Sequence, residues 1–433
     1  MHSAGRSRRT KRWSNISDLV PRLASTKLAA AVARGALTLA VLSALLLIAV
    51  RPAQAQTETV LYNFTTGFQE GGPQAGLTTD GAGNFYGTTF GGGLGWGTVF
   101  ELSRNGSGGW NQTVLYTFTG GADGGAPVSS VIFDSAGNLY GTTELGGGYQ
   151  FGVVFELSPV GTSWTETVLH SFAGGADGAF PLNGLIIDPA GNLFGTTYYG
   201  GVGGGTVFEL SPSGGGWTEQ TIYSAVPSNY GTSAGLTMDA ARNIFGVSYS
   251  TIFELSPTGT GGWNPTVIHT FVRGPKAGNV MDGTPVLDKA GNLYGTTSPS
   301  GAIRDYYGPA FGTVYELSPK KNGKWTKKIL HTFGQGGALG GIAPYGGLVL
   351  DTAGNIYGTT LDGSEAGPGP GTVFELVAPV GKGSYTEKVL WSFNGIDGAQ
   401  PNGSLILDSA GNLYGTTAGG GSSGNGVVFQ VTP

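Results

Sequence analysis

The chain has 433 residues, a formal net charge of −5, 82 glycines and no cysteine. The absence of cysteine excludes disulfide bonds and thiol chemistry, so stability must come from the burial of apolar side chains. Beyond residue 55, only 13 basic residues remain against 26 acidic ones, and phosphate backbones repel such an acidic chain, so nucleic acid is not expected as a partner.

Residues 1–55 have the order of a secretory signal peptide. Eight basic residues precede an apolar run over residues 36–50, and Ala53, Gln54 and Ala55 then offer a small-x-small cleavage site. The run has 15 residues, fewer than the roughly 20 that a spanning helix needs, which makes a retained anchor the weaker alternative. We predict cleavage after Ala55, no membrane span afterwards, and a secreted or periplasmic protein.

A repeat organises residues 56–433. The motif Gly-Asn-Leu-Tyr-Gly-Thr-Thr, or a close variant, begins at residues 83, 137, 191, 242, 291, 354 and 411. A period near fifty is typical of stacked repeat architectures. Each repeat also contains four short strand-like segments, which in the second repeat are expected over residues 131–134, 138–143, 152–158 and 164–172.

Four antiparallel strands repeated seven times predict an all-β fold, the seven-bladed β-propeller, because a four-stranded sheet covers both faces only when neighbours stack on it. The positions within the repeat at which the propeller segment starts and stops also predict closure of the ring. Residues 57–64 (TETVLYNF) match the fourth strand of the second repeat, whereas residues 426–433 match a third strand. The amino-terminal strand can therefore complete the last blade, which leaves no exposed edge. We predict one propeller domain over residues 56–433, and a monomer.

Several repeated residues are interpreted as structural. An Asp precedes the turn before each motif, a Glu or Gln recurs in each third strand, and His170, His269 and His331 share one fourth-strand position with Tyr and Trp. Asp holds such turns, and a position that accepts His, Tyr or Trp holds a flat ring in packing. No catalytic residue is therefore predicted, and no histidine is expected to be free as a metal ligand.

Binding residues are often found on loops that a rigid scaffold positions. Two sets of loops are expected on one rim of the ring, and they contain the candidate binding residues. The loops from strand four to the next strand one place acidic residues at equivalent positions, namely Asp123, Asp177, Asp282 and Asp397. Such a ring of carboxylates could bind Ca²⁺ or a cationic ligand. The alternative is that Asp-Gly is simply a turn.

The loops between strands two and three are rich in glycine and aromatic residues. Trp96, Tyr149, Phe151, Tyr198 and Tyr199 are expected to project from them with few charges nearby, an arrangement that suits the apolar faces of sugars. The alternative is that these rings hold their own loops in place.

The fourth repeat has almost no such loop, whereas the fifth has the longest one. We predict a selective groove between these two blades, lined by Arg304, Asp305, Tyr306 and Tyr307. Arg304 and Asp305 could instead form a surface ion pair, which contributes little.

The motif D-x-x-G-N-L-Y-G-T-T followed by G-T-V-F-E-L, behind a signal peptide, resembles the GloVer tandem-repeat proteins, a choice-of-anchor family whose carboxyl ends vary in surface-attachment signal. The strands are also similar, more distantly, to NHL-type propeller repeats. The resemblance implies an exported or surface protein of unassigned activity and supplies no catalytic residues. The last residues lie inside a blade without an apolar tail, which favours a released or periplasmic protein.

Two functions stay open. The first is a non-enzymatic binding or interaction module for glycans or surface proteins, favoured because the polar residues are repeated. The second is a polysaccharide-active enzyme that draws a carboxylate pair from the four loop aspartates. A glycosidase needs two carboxylates about 5–10 Å apart, so aspartates that turn into their own loops would argue against the enzyme.

Overall fold

A computed structural model describes residues 56–65, 72–225, 232, 234–248, 250–271, 283–298, 312–334, 341–363 and 369–433. They belong to one compact unit, residues 56–433, and contain 29 strands, numbered β1 to β29 in chain order, and one 3-10 helix (Gly175–Asp177). Among these residues, no helix combines the length and the apolar character that a membrane crossing requires.

The strands fall into four positions within the repeat. The first position holds two-residue strands: β2 (Thr78–Thr79), β6 (Ile132–Phe133), β10 (Ile186–Ile187), β14 (Thr237–Met238), β18 (Val286–Leu287), β23 (Val349–Leu350) and β27 (Ile406–Leu407). The second holds the motif: β3 (Phe85–Thr89), β7 (Leu139–Thr143), β11 (Leu193–Thr197), β15 (Ile244–Ser248), β19 (Leu293–Thr297), β24 (Ile356–Asp362) and β28 (Leu413–Thr416).

The other two positions hold longer strands. The third comprises β4 (Thr98–Arg104), β8 (Val153–Val160), β12 (Thr206–Ser213), β16 (Thr251–Pro257), β20 (Thr313–Pro319), β25 (Thr372–Val377) and β29 (Val427–Thr432). The fourth comprises β1 (Thr57–Asn63), β5 (Trp110–Thr117), β9 (Ser163–Ser171), β13 (Gly216–Ser224), β17 (Trp263–Thr270), β21 (Trp325–Thr332) and β26 (Thr386–Ser392). In blade two the motif strand is buried throughout, whereas the fourth strand alternates exposed and half-buried residues and so forms the outer edge.

These strands form seven antiparallel sheets, the blades, each in the order first, second, third, fourth. Blade one contains β2 to β5, and the next blades follow in chain order until blade seven, which contains β27, β28, β29 and β1. Blade six has one additional strand, β22 (Ile342–Pro344), paired with β24. The prediction of an all-β, seven-bladed propeller is confirmed.

The strand β1 closes the ring. It pairs with β29 from Thr57 opposite Thr432 to Asn63 opposite Val427, and the N–H of Phe64 continues the contact to the carbonyl of Gly426 at 3.1 Å. The strand β29 therefore has a partner on each side and presents no open edge. Closure by the amino-terminal strand is confirmed.

Seven clusters of buried apolar side chains hold neighbouring blades together. The cluster between blades seven and one includes Phe64, Phe100, Tyr414 and Val428. Since burial of one Phe side chain contributes roughly 1.5–3 kcal/mol, side-chain packing stabilises the closed ring together with the backbone hydrogen bonds.

The glycine in the middle of each motif makes room for a ring of the third strand. At Gly141, an added Cβ would lie 2.6 Å from Cζ of Phe155 and 3.1 Å from Cγ1 of Val131, and both neighbours are fully buried. Close packing, and not a turn, therefore requires glycine at this position.

The repeated aspartates hold their own turns, as the sequence analysis interpreted them. Asp134 Oδ1 accepts the N–H groups of Ala136 and Asn138 at 2.8 and 2.9 Å, and Oδ2 accepts Asn138 Nδ2 and the Tyr140 hydroxyl at 2.9 and 3.1 Å. Burial raises the pKa of this carboxyl, but the hydrogen bonds outweigh burial and lower it. These carboxylates are occupied within the scaffold.

Blade three departs from this pattern. Phe194 stands where five other blades have a Tyr that bonds the turn aspartate, so Asp188 lacks a hydroxyl donor. Arg242 of blade four, which replaces the turn glycine at φ 67°, reaches back and pairs with Asp188, whose side chain is fully buried. The ion pair thus replaces the missing hydrogen bond and joins two blades.

Candidate functional site

The two predicted sets of rim loops are bonded to each other. In the loop from blade two to blade three, Ala179 exchanges two backbone hydrogen bonds with Tyr199 at 2.9 and 3.1 Å, and the N–H of Phe180 donates to the carbonyl of Phe151 at 2.8 Å. The loop is thereby fixed to the glycine-rich loops of both flanking blades, so the side chains on this rim stand on a rigid base.

An aromatic row crosses this junction, formed by Phe151, Phe180, Tyr199 and Tyr198. Phe151 and Phe180 meet edge to face at 5.5 Å, Phe180 and Tyr199 at 6.0 Å, and Tyr199 and Tyr198 at 4.7 Å. Tyr199 is 49% exposed, and Tyr149, two residues before Phe151 in the same loop, is 61% exposed. The structure thus brings three of the predicted rings, Phe151, Tyr198 and Tyr199, to one junction.

Phe180 was not singled out in the sequence analysis, although it is the centre of the row. It lies in the loop of Asp177 and not in a glycine-rich loop, and it adopts a left-handed φ of 57° just before Pro181. The available signal was an aromatic residue at a loop position where the first and last repeats have Ala126 and Gln400.

Trp96 lies one junction away, between blades one and two. Its ring is 39% exposed and covers Gly120 and Gly125, where an added Cβ at Gly125 would lie 2.9 Å from the ring. The carbonyl of Trp96 accepts the N–H of Ala126 at 2.7 Å. Trp96 therefore holds a neighbouring loop in place and keeps part of its ring open to solvent.

The three described loop aspartates turn into their own loops. Asp123 accepts the N–H of Thr119 at 2.8 Å and the hydroxyl of Tyr116 at 3.2 Å, and Asp397 accepts the N–H of Asn394 at 2.9 Å and Nε1 of Trp391 at 3.1 Å. Asp177 is held in the same way. The three lie at different junctions: Asp123 between blades one and two, Asp177 between blades two and three, and Asp397 between blades six and seven.

The remaining predicted residues lie outside the described residues. These are Asp282 in the aspartate set and the four residues of the groove between blades four and five, Arg304, Asp305, Tyr306 and Tyr307. The groove stays a prediction.

A second group of side chains meets at the junction of blades two and three. His170 Nε2 lies 2.9 Å from Asp177 Oδ1. A carboxylate oxygen of Glu219, on β13, lies within 4.8 Å of each of these two atoms. His170 also packs edge to face on Phe172 at 4.8 Å, which is the packing role expected for this position. Sequence reasoning missed the contact with Glu219 because that residue comes from the next blade.

The carboxyl groups of this cluster have opposite pKa shifts. Burial, followed by the charge of Asp177, raises the pKa of Glu219. Burial also acts on Asp177, but the hydrogen bonds from His170 and from the N–H of Ala173 outweigh it and lower the pKa. Asp177 is therefore the ionised member, and Glu219 the one that takes up a proton more readily.

Carboxylate pairs also face each other at two other junctions. Burial and the charge of Asp123 raise the pKa of Glu166 to about 7, and burial and the charge of Asp397 raise the pKa of Glu58 to about 7. In each pair the Glu comes from the outer strand of the next blade. The signal in the sequence was the recurrent Thr-Glu at the start of the fourth strands.

Replacement of Glu166 by Gln is expected to stabilise the protein at pH 8 but not at pH 4.5. The folded pKa of about 7 exceeds the ordinary value of 4.5, so the contribution of Glu166 to stability is complete below pH 4.5 and is lost as the pH rises through 7. The gain at pH 8 should be about 1 kcal/mol after allowance for partial exposure. Urea unfolding at both pH values measures it, and an equal effect at both would contradict the assignment.

The fold and its rim loops define a seven-bladed β-propeller repeat protein. The family model described as the Gloeobacter/Verrucomicrobia repeat matches residues 47–250 and 231–433, and the chain belongs to this family. This confirms the resemblance to the GloVer tandem repeat. No curated protein matches the chain in sequence.

Solved structures are similar at the level of the fold. A protein from Lactobacillus plantarum is 11% identical, with 79% of this chain and 96% of that chain covered and a TM-score of 0.52. The polysaccharide lyase Uly1 is 13% identical, with 86% of this chain and 92% of that chain covered and a TM-score of 0.47. A gluconolactonase from Xanthomonas campestris is 10% identical, with 87% of this chain and 89% of that chain covered and a TM-score of 0.43. The first likeness concerns the fold alone, and the other two carry no argument.

Proposed function

We propose that this β-propeller is an exported, non-enzymatic binding module for neutral glycans, which it holds on the aromatic row between blades two and three. The observation that carries the proposal is the row itself, in which four rings stand in contact on a hydrogen-bonded rim. Sugar rings present apolar C–H faces that stack on such rings, while their hydroxyls bond to nearby polar groups.

The row is organised before any ligand arrives. Edge-to-face contacts fix the rings of Phe180 and Tyr199, and the backbone bonds between Ala179 and Tyr199 fix the loops that carry them. Binding on a rigid surface loses little side-chain entropy, so even a shallow stacking contact gains affinity.

The charge of this half of the molecule favours a neutral ligand. From residue 56 to residue 241, Arg104 is the only basic residue, so an acidic polysaccharide would find few cations. The loop that carries Tyr198 and Tyr199 also exposes Val202, at 64%.

The polysaccharide-active enzyme receives less support. The expected pair would come from the loop aspartates, but Asp123, Asp177 and Asp397 are each hydrogen-bonded within their own loops at separate junctions, so no two of them flank one bond. Each faces a Glu of the next blade instead, and a contact that recurs at three junctions is typical of a scaffold, not of a single catalytic site. This arrangement favours binding over hydrolysis. We retain export after cleavage at Ala55 as part of the proposal, because extracellular and periplasmic glycans would then be accessible.

Replacement of Tyr199 by Ala is expected to weaken glycan binding about two- to tenfold, because loss of one stacked ring costs about 0.5–1.5 kcal/mol. A glycan array of neutral and acidic polysaccharides identifies the ligand, and titration calorimetry of the best neutral glycan then measures the loss. Tyr149→Ala should show a smaller loss. Each measurement is made with Ca²⁺ and with a chelator, which also tests Ca²⁺ binding by the loop aspartates.

Val160→Ala is the matched control. Val160 is 60% exposed and ends the third strand of blade two at the opposite rim, so its removal should leave glycan affinity unchanged. Equal losses in both variants, or no binding to any neutral glycan by the unaltered protein, would exclude the proposal.

A further inference from the structure

We propose that His170, Asp177 and Glu219 bind a divalent transition-metal ion at the outer junction of blades two and three. The three side chains come from three elements, namely β9, the loop after it and β13 of the next blade. They offer one imidazole nitrogen and two carboxylate oxygens inside a span of 4.8 Å.

The spacing suits a small ion after slight rotation of the side chains. Ligand atoms around a tetrahedral Zn²⁺ lie at about 2.0–2.2 Å from the metal and so roughly 3.3–3.6 Å from one another. His170 Nε2 and Asp177 Oδ1 are 2.9 Å apart, so they need to separate by less than an ångström, and Glu219 needs to approach. Three protein ligands leave the fourth position to water.

Hydrogen bonds from neighbouring groups restrain the side chains of Asp177 and Glu219. The second oxygen of Asp177 accepts the N–H of Ala173 at 2.5 Å. The hydroxyl of Thr221 lies 3.3 Å from Glu219 Oε1 and 3.1 Å from the carbonyl of Ala176, so it links the Glu strand to the Asp loop. Hydrogen bonds of this kind orient metal ligands and raise affinity.

The other junctions serve as internal comparisons. The equivalent positions hold Tyr116, Asp123 and Glu166 between blades one and two, and Trp391, Asp397 and Glu58 between blades six and seven. A Trp nitrogen cannot ligate, and burial raises the pKa of the Tyr116 phenol further above its ordinary value. Within the part of the chain that the structure describes, the trio at blades two and three is the one group of this composition.

The chemistry of the ligands selects the ion. Ca²⁺ takes six to eight oxygen ligands, whereas an imidazole with two carboxylates suits Zn²⁺ and its neighbours in the first transition row. Zn²⁺ is therefore expected to bind more tightly than Ca²⁺, in contrast to the Ca²⁺ expected from the aspartates alone.

The proposal is tested by titrating the chelator-stripped full chain with Zn²⁺ in a calorimeter. One saturable site per chain is expected, and Glu219→Gln should weaken it about 100-fold because it replaces an anionic ligand by a neutral amide oxygen. His170→Tyr recreates the side chain of blade one, in which the Tyr hydroxyl bonds the loop Asp, and should also abolish binding while the blade stays folded. Circular dichroism verifies the fold of each variant.

Glu166→Gln, at the equivalent position of the neighbouring junction, is the matched control and should bind Zn²⁺ as the unaltered chain does. Visible absorption of the Co²⁺-loaded protein gives a second readout, since ligation changes the d–d bands and His170→Tyr should remove them. The absence of a saturable site, or unchanged affinity in Glu219→Gln, would overturn the proposal. No sugar is present in the titration, so its outcome is independent of the glycan proposal.

Discussion

Deletion of residues 56–64 is expected to lower the free energy of unfolding by more than about 5 kcal/mol, which is comparable with the entire stability of an ordinary domain. The deletion removes every hydrogen bond between β1 and β29. It also removes Phe64, which is fully buried and packs on Phe100 at 5.3 Å. Loss of a buried Phe side chain alone costs about 3–5 kcal/mol.

Complementation separates loss of the strand from general damage. A synthetic peptide of residues 56–64, added in excess to the deletion variant, should restore the cooperative thermal transition by pairing with the open edge of β29. A peptide of the same composition in scrambled order should not. The deletion variant should also associate through that edge, which light scattering detects. A deletion variant with an unchanged unfolding midpoint would show that β1 does not close the ring.

Replacement of Gly141 by Ala is expected to destabilise the protein by about 2–3 kcal/mol, because the added methyl group overlaps the ring of Phe155 in a filled core. At most backbone positions that Ala can adopt, replacing Gly by Ala stabilises a protein because it reduces the entropy of the unfolded chain. A destabilisation at position 141 would therefore indicate steric overlap. Urea unfolding measures it. Ala at position 141 combined with Phe155→Leu should recover part of the loss, since the smaller side chain admits the methyl group.

Gly81→Ala is the matched control for this overlap. Gly81 is exposed, and an added Cβ would meet no atom within 4 Å. Other repeats carry Ser, Pro, Ala, Lys or Thr at the same place. The control should change stability by less than about 0.5 kcal/mol. If Gly81→Ala and Gly141→Ala were equally destabilising, the packing role of the motif glycine would be wrong.

Much of the fold could be predicted because the information is repeated along the chain. Seven copies of one motif indicate seven blades, and the match of residues 57–64 to a fourth strand places β1 in blade seven. The strand β22 in blade six could not be predicted, because its repeat shows no additional alternating segment. Local pattern therefore determines the blades, whereas deviations within one blade depend on loop contacts.

The candidate site was predicted only in part. Phe151, Tyr198 and Tyr199 stand out as loop aromatics, and the structure places them at one junction. The cluster of His170, Asp177 and Glu219 depends on how two blades are rotated against each other. That rotation follows from side-chain packing between sheets and leaves no periodic trace. The sequence therefore indicates His170 as a packing ring and Asp177 as a candidate binding residue, but nothing in it shows that these two side chains meet Glu219.

The pairing of β1 with β29 has a consequence for biosynthesis. About 370 residues separate the two strands along the chain, and at about 5–20 residues per second a ribosome needs roughly 20–75 s to produce them. Throughout that interval β1 has no strand to pair with, although blade one can already pack on Phe64, so blade seven assembles only once β29 has been made. A chain threaded unfolded through a secretion pore would complete its final blade on the far side, and helper proteins that shield a lone strand would act on its first residues.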